Sequence, residues 1–187
     1  MSQAPYNYNT GIAGMFSQLS QVRTNQGGLY FQEGNFVVEI EAIKISQNKD
    51  FIPTFIVETK VLQSDNPALR PGMTPAQIIT IKQTDLATHL GNVKAFVAKV
   101  FGMTDPDTYC PPEAAALDGA YRQAAIDAWW QRAIMFVSSE AQPCKGYYMP
   151  LSCTTVITKK TKAPFTKHNW GTPISTPQTR AQQGQQG

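Results

Sequence analysis

The stretch with the clearest chemical character lies near the C-terminal end of the chain, between residues 154 and 170. It reads TTVITKKTKAPFTKHNW and contains no acidic side chain. Its cationic, imidazole and large aromatic side chains are Lys159, Lys160, Lys162, Phe165, Lys167, His168 and Trp170. Binding a single nucleic acid strand needs cations that follow the phosphates and rings on which bases stack. The stretch therefore predicts a platform for a single strand, and the alternative is a solvated hairpin with ordinary surface lysines.

Positive charge is concentrated in this part of the chain. The 187 residues carry a formal net charge of only +3, from 16 bases and 13 acids. From Glu140 onward there are one acid and six bases, so residues 1–139 hold the remaining twelve acids and ten bases. A local basic patch attracts a polyanion even where the overall charge is small.

The alternation of residues indicates how the stretch would present these groups. Phe165 and Lys167 share one parity, whereas His168 and Trp170 share the other. In a regular strand, successive side chains point to opposite faces. One face would then offer Phe165 beside Lys167, and the alternative is that Phe165 or Trp170 fills the core.

The first half of the chain predicts strands that curl. In EGNFVVEIEAIKIS, apolar Phe36, Val38 and Ile40 alternate with the intervening residues, as in a half-buried strand. The apolar positions then shift by one residue, to Ile43 and Ile45, and a β-bulge that bends the strand produces such a shift. A long, bent first strand is what a small curled barrel requires.

Two further strands precede the helices. FIPTFIVETKVLQSD places Phe55, Val57, Thr59 and Val61 on one face, and Pro53 indicates that this strand begins at an edge or bulge. After the loop NPALRPGMTP, the segment AQIITIKQ predicts a short third strand.

The remaining elements determine the predicted fold. Two helices are predicted, in TDLATHLGNVKAFVAKVFG and PPEAAALDGAYRQAAIDAWWQRAIMFV. The last two strands are predicted in YYMPLSCTTVITKKT and APFTKHNWGTPI. The order predicts a mainly β fold: a five-stranded OB-fold-like Greek-key barrel with two helices inserted between strands 3 and 4. Residues 1–28 are expected to form a flexible arm, 29–174 the folded domain, and 175–187 a disordered Gln/Gly-rich tail.

An OB-fold usually binds its ligand across strands 2 and 3 and the adjoining loops. That rule adds candidate contacts outside the closing hairpin. They are Lys49 and Phe51 in the first turn, Lys60 on strand 2, Lys82 on strand 3, and Tyr148 just before strand 4. A lysine on an open strand face is also a common solubilising residue, so these positions are secondary.

The segment EGNFVVEIEAIKISQNKDFIPTFIVETKVLQSDNPALRPG resembles phage-encoded single-stranded DNA-binding proteins with an OB-fold. The likeness rests on a G-x-(F/Y)-x-V-x-I strand, FIVETKVLQSDNP, the helix NVKAFVAKVFG and the closing hairpin, and it covers roughly residues 28 to 172. The resemblance implies a non-catalytic, sequence-tolerant binder that coats strands during phage DNA replication or recombination. Single-stranded DNA, replication or recombination proteins and a second copy of the chain would be its partners. Many such binders end in an acidic tail, which this chain lacks.

Other classes of function find less support in the residues. Three cysteines without a C-x-x-C pair and two histidines make a zinc site unexpected, and neither a metal nor a cofactor is predicted. The N-terminus lacks the pattern of a signal peptide and no apolar run is long enough to span a membrane, so no membrane partner is expected. The predicted location is the cytoplasm of the infected bacterial host.

The sequence leaves two alternative functions open. The first is a virion structural or adaptor protein built on a small β-barrel, because such barrels serve many functions. The second is a metal-dependent nuclease, in which Asp50 and Glu58 would hold Mg²⁺ and Lys60 would orient the attacking water. E-x-K triplets arise often by chance, and the order of elements does not suit that class, so an enzyme is not predicted.

Overall fold

The computed structural model describes residues 29–157, 162 and 164–183. The predicted N-terminal arm therefore lies outside the described residues. So do Lys159 and Lys160 in the turn of the closing hairpin.

Five strands form one antiparallel sheet in the described part of the chain. Their bounds are β1 (Gly34–Gln47), β2 (Pro53–Ser64), β3 (Ala76–Thr80), β4 (Tyr148–Ile157) and β5 (Pro164–Trp170). The order across the sheet is β3-β2-β1-β4-β5. The predicted number of strands and their sequence relative to the helices are confirmed.

The predicted OB-fold-like barrel is present only in part, because in the described residues the five strands form an open sheet rather than a closed barrel. β3 and β5 are the two edges of an open sheet, because no backbone ladder joins them. Instead, the indole Nε1 of Trp170 on β5 donates a hydrogen bond of 2.8 Å to Oε1 of Gln77 on β3. The segment before β1 lies beside this junction: the backbone N–H of Ala76 donates to the carbonyl oxygen of Leu29 at 2.9 Å. Side chains and a short segment thus span the gap that a strand ladder would close.

Three α-helices occur in the described residues, one more than predicted. α1 (Leu86–Val100) and α2 (Gly119–Val137) lie between β3 and β4, and α3 (Pro177–Gln183) follows β5. The second helix begins later than expected. Pro112–Ala114 form a separate 3₁₀ turn, and Gly119 has a φ of 53°, which a right-handed helix cannot continue through.

The third helix lies within the segment that the sequence predicts to be a disordered tail. The guanidinium Nη2 of Arg180 donates to the carbonyl oxygen of Gly146 at 2.8 Å. The same guanidinium stacks on Tyr148, with its central carbon 4.0 Å from the ring centroid. These contacts tie Pro177–Gln183 to the start of β4, so the structure differs from the prediction there.

The predicted bend in β1 is present as a register shift. Ile40 pairs with Thr59 and Ala42 pairs with Glu58, which leaves Glu41 without a partner on β2. The extra residue moves the buried positions from Ile40 to Ile43, as the change in apolar phase indicates. A second irregularity lies between residues 37 and 38.

The core lies between the sheet and α1. Phe55, Val57, Thr59 and Val61 are fully buried, which confirms the predicted inner face of β2. The hydroxyl of Thr59 is satisfied by the carbonyl oxygen of Pro75 at 2.7 Å. From α1, the Phe96 ring packs edge-on against Phe55, with the ring centroids 5.8 Å apart. α1 therefore covers the inner face of the sheet where its two edges approach each other.

A side chain takes the place of a strand partner on β1. β4 pairs with β1 only over Gly34–Glu39. Farther along, the amide of Gln142 contacts the backbone of Ile43 twice: its Oε1 accepts from the N–H at 2.7 Å, and its Nε2 donates to the carbonyl oxygen at 2.9 Å. Both main-chain groups of this residue are thus satisfied without a strand. Among the described helices, none is both long and apolar enough to cross a membrane.

Candidate nucleic-acid interface

A groove of about 780 Å³ lies between the two open edges of the sheet. We call it the edge groove. It is lined by residues 77–80 and Lys82 at β3, by Thr88, His89, Asn92, Ala95, Phe96 and Lys99 of α1, and by residues 165–170 of β5. It exists because β3 and β5 do not pair, and α1 forms its floor.

The charged groups of the edge groove are all of one sign. Lys82, Lys99 and Lys167 line it, and none of the described lining residues carries a carboxylate. Lys99 makes a long contact of 3.4 Å to the carbonyl oxygen of Met103, which leaves its charge uncompensated. Amide and hydroxyl side chains make up much of the remaining lining. Such a lining suits an anionic, hydrogen-bonding chain.

The alternation along β5 follows the prediction. Phe165 and Lys167 are exposed and lie on the same face, whereas Trp170 is buried on the other. Phe165 is 49% exposed, so about half of the residue is accessible to a ligand. An aromatic ring beside a cation is thus present on the outer face of the hairpin.

Trp170 is part of the core. Its side chain is 8% exposed, and its ring packs edge-on against Phe96 at 5.0 Å and against Phe31 at 6.5 Å between centroids. Its N–H is already bonded to Gln77. The position predicted as a stacking ring therefore holds the floor of the edge groove together, and its faces are not open to a base.

His168 lines the edge groove with an uncharged imidazole. Burial lowers the pKa of its imidazole from 6.5 to about 4, and a backbone hydrogen bond at Thr166 opposes this only in part. Its ring packs edge-on against Phe31 at 5.8 Å. Because the group is uncharged near neutral pH, it adds no cation to the groove. The second histidine, His89, accepts a hydrogen bond at Nδ1 from the backbone N–H of Lys82 at 3.1 Å.

Two of the four predicted hairpin lysines lie among the described residues. Lys167 lines the edge groove. Lys162 is exposed in the turn and has a φ of 56°. The turn thus places at least one cation just before the start of β5.

The turn between β1 and β2 lies next to the β3 end of the edge groove. The side-chain oxygen of Asn48 accepts from the N–H groups of Asp50 and Ile52, at 2.9 and 3.0 Å, and fixes the turn. Phe51 is 80% exposed and has a φ of 58°. Lys49 is exposed beside it. This pair also combines an exposed ring with a cation, but neither residue lines the edge groove.

Lys60 and Tyr148 do not line the groove either. Lys60 is exposed on the outer face of β2, directly opposite Glu39 in the register. Tyr148 is covered on one face by the guanidinium of Arg180.

The acids considered for a nuclease are also dispersed. Glu58 forms a salt bridge of 2.8 Å with Lys44 on the outer face of the sheet. Asp50 lies in the first turn. Over residues 29–157, 162 and 164–183, no three His, Cys, Asp or Glu side chains lie close enough together to hold a metal ion.

The contribution of α1 to the groove is not predicted from the sequence. His89, Asn92, Phe96 and Lys99 form one stripe along the helix and all line the edge groove. Their spacing of three, four and three residues is a readable helical signal. What it could not show is that the stripe would face a gap in the sheet. No protein-family model matches this chain, and no curated protein matches its sequence.

Proposed function

We propose that this chain is a non-catalytic single-stranded DNA-binding protein with little dependence on base sequence. The observation that carries the proposal is the edge groove, whose three lysines face no carboxylate among the described residues. Phosphates would follow Lys82, Lys99 and Lys167, and each neutralised phosphate contributes favourable counterion release. Bases would stack on Phe165, and on Phe51 where the strand leaves the groove.

The form of the groove favours a single strand over a duplex. Proteins that read a duplex insert a projecting helix or ribbon into its major groove. Here the cations line a concave surface between two sheet edges, with α1 below. A flexible chain with its bases unpaired can enter such a groove and stack on the exposed rings.

The strand order supports an OB-fold-like origin for this architecture. In the order β3-β2-β1-β4-β5, the edge strands are the two that would meet if the sheet were rolled into a five-stranded barrel. The proposal thus includes kinship with phage OB-fold binders, and a role in coating strands exposed during DNA replication or recombination in the host cytoplasm.

Fluorescence anisotropy with labelled oligonucleotides tests the proposal. A single-stranded oligonucleotide and a duplex of equal length are titrated at about 50 mM and about 200 mM salt, a range over which phosphate contacts weaken markedly. We expect saturable binding of the single strand, weaker binding of the duplex, and loss of affinity with salt. Absence of saturable single-strand binding at the lower salt concentration would overturn the proposal.

A further inference from the structure

A second concavity lies on the other side of Phe165. It has a volume of about 430 Å³ and is formed between the segment before β1, the end of β2 and the closing hairpin. We call it the hairpin pocket. Gln32, Glu33, Asn66 and Thr166 contribute its polar groups, and Phe165 lines both this pocket and the edge groove. A base stacked on that ring would therefore have its edge close to a second set of side chains.

The wall that carries Glu33 is held in place by hydrogen bonds. Nδ2 of Asn66 donates to the carbonyl oxygen of Glu33 at 2.6 Å. The adjacent Asn35 donates to both carboxylate oxygens of Asp65, from its backbone N–H at 2.7 Å and from Nδ2 at 2.8 Å. These bonds lower the pKa of the Asp65 carboxyl, which keeps it ionised and bonded. These hydrogen bonds within the protein preform the wall of the hairpin pocket.

A glycine makes this close approach possible. Gly34 has a φ of 149°, and a Cβ atom at this position would lie 2.8 Å from Oδ1 of Asp65. Any other residue would push the wall away from the Asp65 loop. The position of Glu33 beside the hairpin thus depends on the small size of its neighbour.

The chemistry of the pocket selects among bases. The Glu33 carboxylate only accepts hydrogen bonds, and it repels phosphate oxygens and carbonyl-rich edges. Cytosine, adenine and guanine carry exocyclic amino donors, and a carboxylate is a known partner of cytosine N4. Where cytosine carries the N4 amino donor, thymine and uracil carry the O4 carbonyl oxygen, which would face the carboxylate with like polarity.

We propose that the hairpin pocket is a base-edge subsite that favours amino-bearing bases over thymine and uracil. The inference rests on the proposed single-strand function. A base stacked on Phe165 directs its edge into the pocket, where Glu33 accepts from the amino group and the amide of Gln32 supplies a further polar contact. The rest of the strand is held without reading sequence, so the result is a bias at one position rather than a recognition motif.

Oligo-dC and oligo-dT of equal length provide the test, because both are pyrimidine strands of similar ring size. Anisotropy titrations compare wild type with Glu33→Ala, and the exposed Glu140, which lies after α2 and does not line the pocket, provides the matched Glu140→Ala control. Both variants remove one negative charge, so a general electrostatic gain affects them alike. The ratio of dC to dT affinity isolates the contribution of the base edge.

We expect wild type and Glu140→Ala to bind oligo-dC about fivefold or more tightly than oligo-dT, near the lower bound for a specific base contact. In Glu33→Ala this ratio falls to about one. Equal affinities of wild type for both oligonucleotides, or a ratio that survives in Glu33→Ala, would overturn the subsite while leaving single-strand binding intact. Failure of both oligonucleotides to bind would instead overturn the proposed function itself.

Discussion

Two lysine-bearing regions of this molecule differ in whether carboxylates lie beside the lysines. On the outer face of β1 and β2, Lys44 is bonded to Glu58 and Lys60 lies opposite Glu39. In the edge groove, three lysines share the lining with amide, hydroxyl and aromatic side chains, and the described lining includes no carboxylate. Both regions hold cations on or beside strands, yet only the groove presents an uncompensated positive surface.

The neighbours of a lysine therefore determine what it can bind. A phosphate that approaches a groove lysine gains an ion pair and releases counterions. A phosphate that approaches Lys44 must compete with a carboxylate 2.8 Å away and is repelled by it. The following variants test whether this contrast governs binding, in order of decreasing expected effect.

Replacing Trp170 with Ala should have the largest effect, on folding. The side chain is buried and joins β5 to β3 through Gln77, so its loss leaves a cavity and breaks the junction between the sheet edges. We expect the free energy of unfolding in urea to fall by about 3–5 kcal/mol. Phe51→Ala is the control, because that ring is 80% exposed and should leave unfolding unchanged. Equal unfolding curves for Trp170→Ala and wild type would contradict the structural role.

The triple change Lys82→Ala, Lys99→Ala and Lys167→Ala should weaken single-strand binding strongly. With about 0.7 counterions released per phosphate of a single strand, three lost contacts reduce the slope of log affinity against log salt by about 2. The double change Lys44→Ala and Lys60→Ala removes outer-face charge and should leave the slope nearly unchanged. If the two variants altered the slope equally per lysine, the contrast between the regions would have no bearing on binding.

Phe165→Ala should reduce affinity without affecting the fold. A stacked base contributes about 1–3 kcal/mol, so the dissociation constant should rise about fivefold or more, whereas the free energy of unfolding should change by less than about 0.5 kcal/mol. Ile157→Ala is the matched control, since this apolar residue of the same hairpin is 60% exposed but has no ring. A lowered unfolding free energy with intact affinity would assign Phe165 to packing alone.

Acid should destabilise the protein through His168. The pKa of the folded state is about 4 and that of the unfolded chain is 6.5, so the unfolded chain binds the proton first as the pH falls. Stability is therefore fully present above pH 6.5 and is lost between 6.5 and about 4, by at most about 1.4 kcal/mol per pH unit.

Urea unfolding at several pH values checks this, with His168→Gln as the comparison. The variant cannot titrate and should show a flatter profile over that interval. The pKa values of Asp65 and Asp105 are lowered from 3.8, so these carboxyls act only at more acidic pH. An identical profile for the variant would show that another group is responsible.

The local features of the fold could be predicted from the sequence because they depend on alternation along one strand. The inner face of β2 and the bulge near Glu41 could be predicted in this way. The position of Phe165 and Lys167 on the same face of β5 could be predicted in the same way. Alternation shows that Phe165 and Trp170 point to opposite sides, but both are aromatic. Which one is buried depends on α1, and the sequence does not place that helix.

The open edges could not be predicted for a related reason. Whether β3 and β5 pair is decided by side chains more than eighty positions apart, such as Gln77 and Trp170. The participation of Lys99 follows from this gap and was missed with it. The start of α2 was also misplaced, because the prolines at 111 and 112 precede a short turn rather than the helix itself.

The contact between Gln142 and Ile43 has a consequence for how copies of this chain behave in a crowded solution. An uncovered strand edge is a template onto which another molecule can hydrogen-bond, and runs of such pairing begin aggregates. One side-chain amide occupies both main-chain groups at the middle of the longest strand. Shortening the side chain at position 142 would expose the backbone N–H and carbonyl groups of Ile43 to another chain. Gln142→Ala should therefore precipitate sooner on gentle warming, even where its melting temperature is little changed.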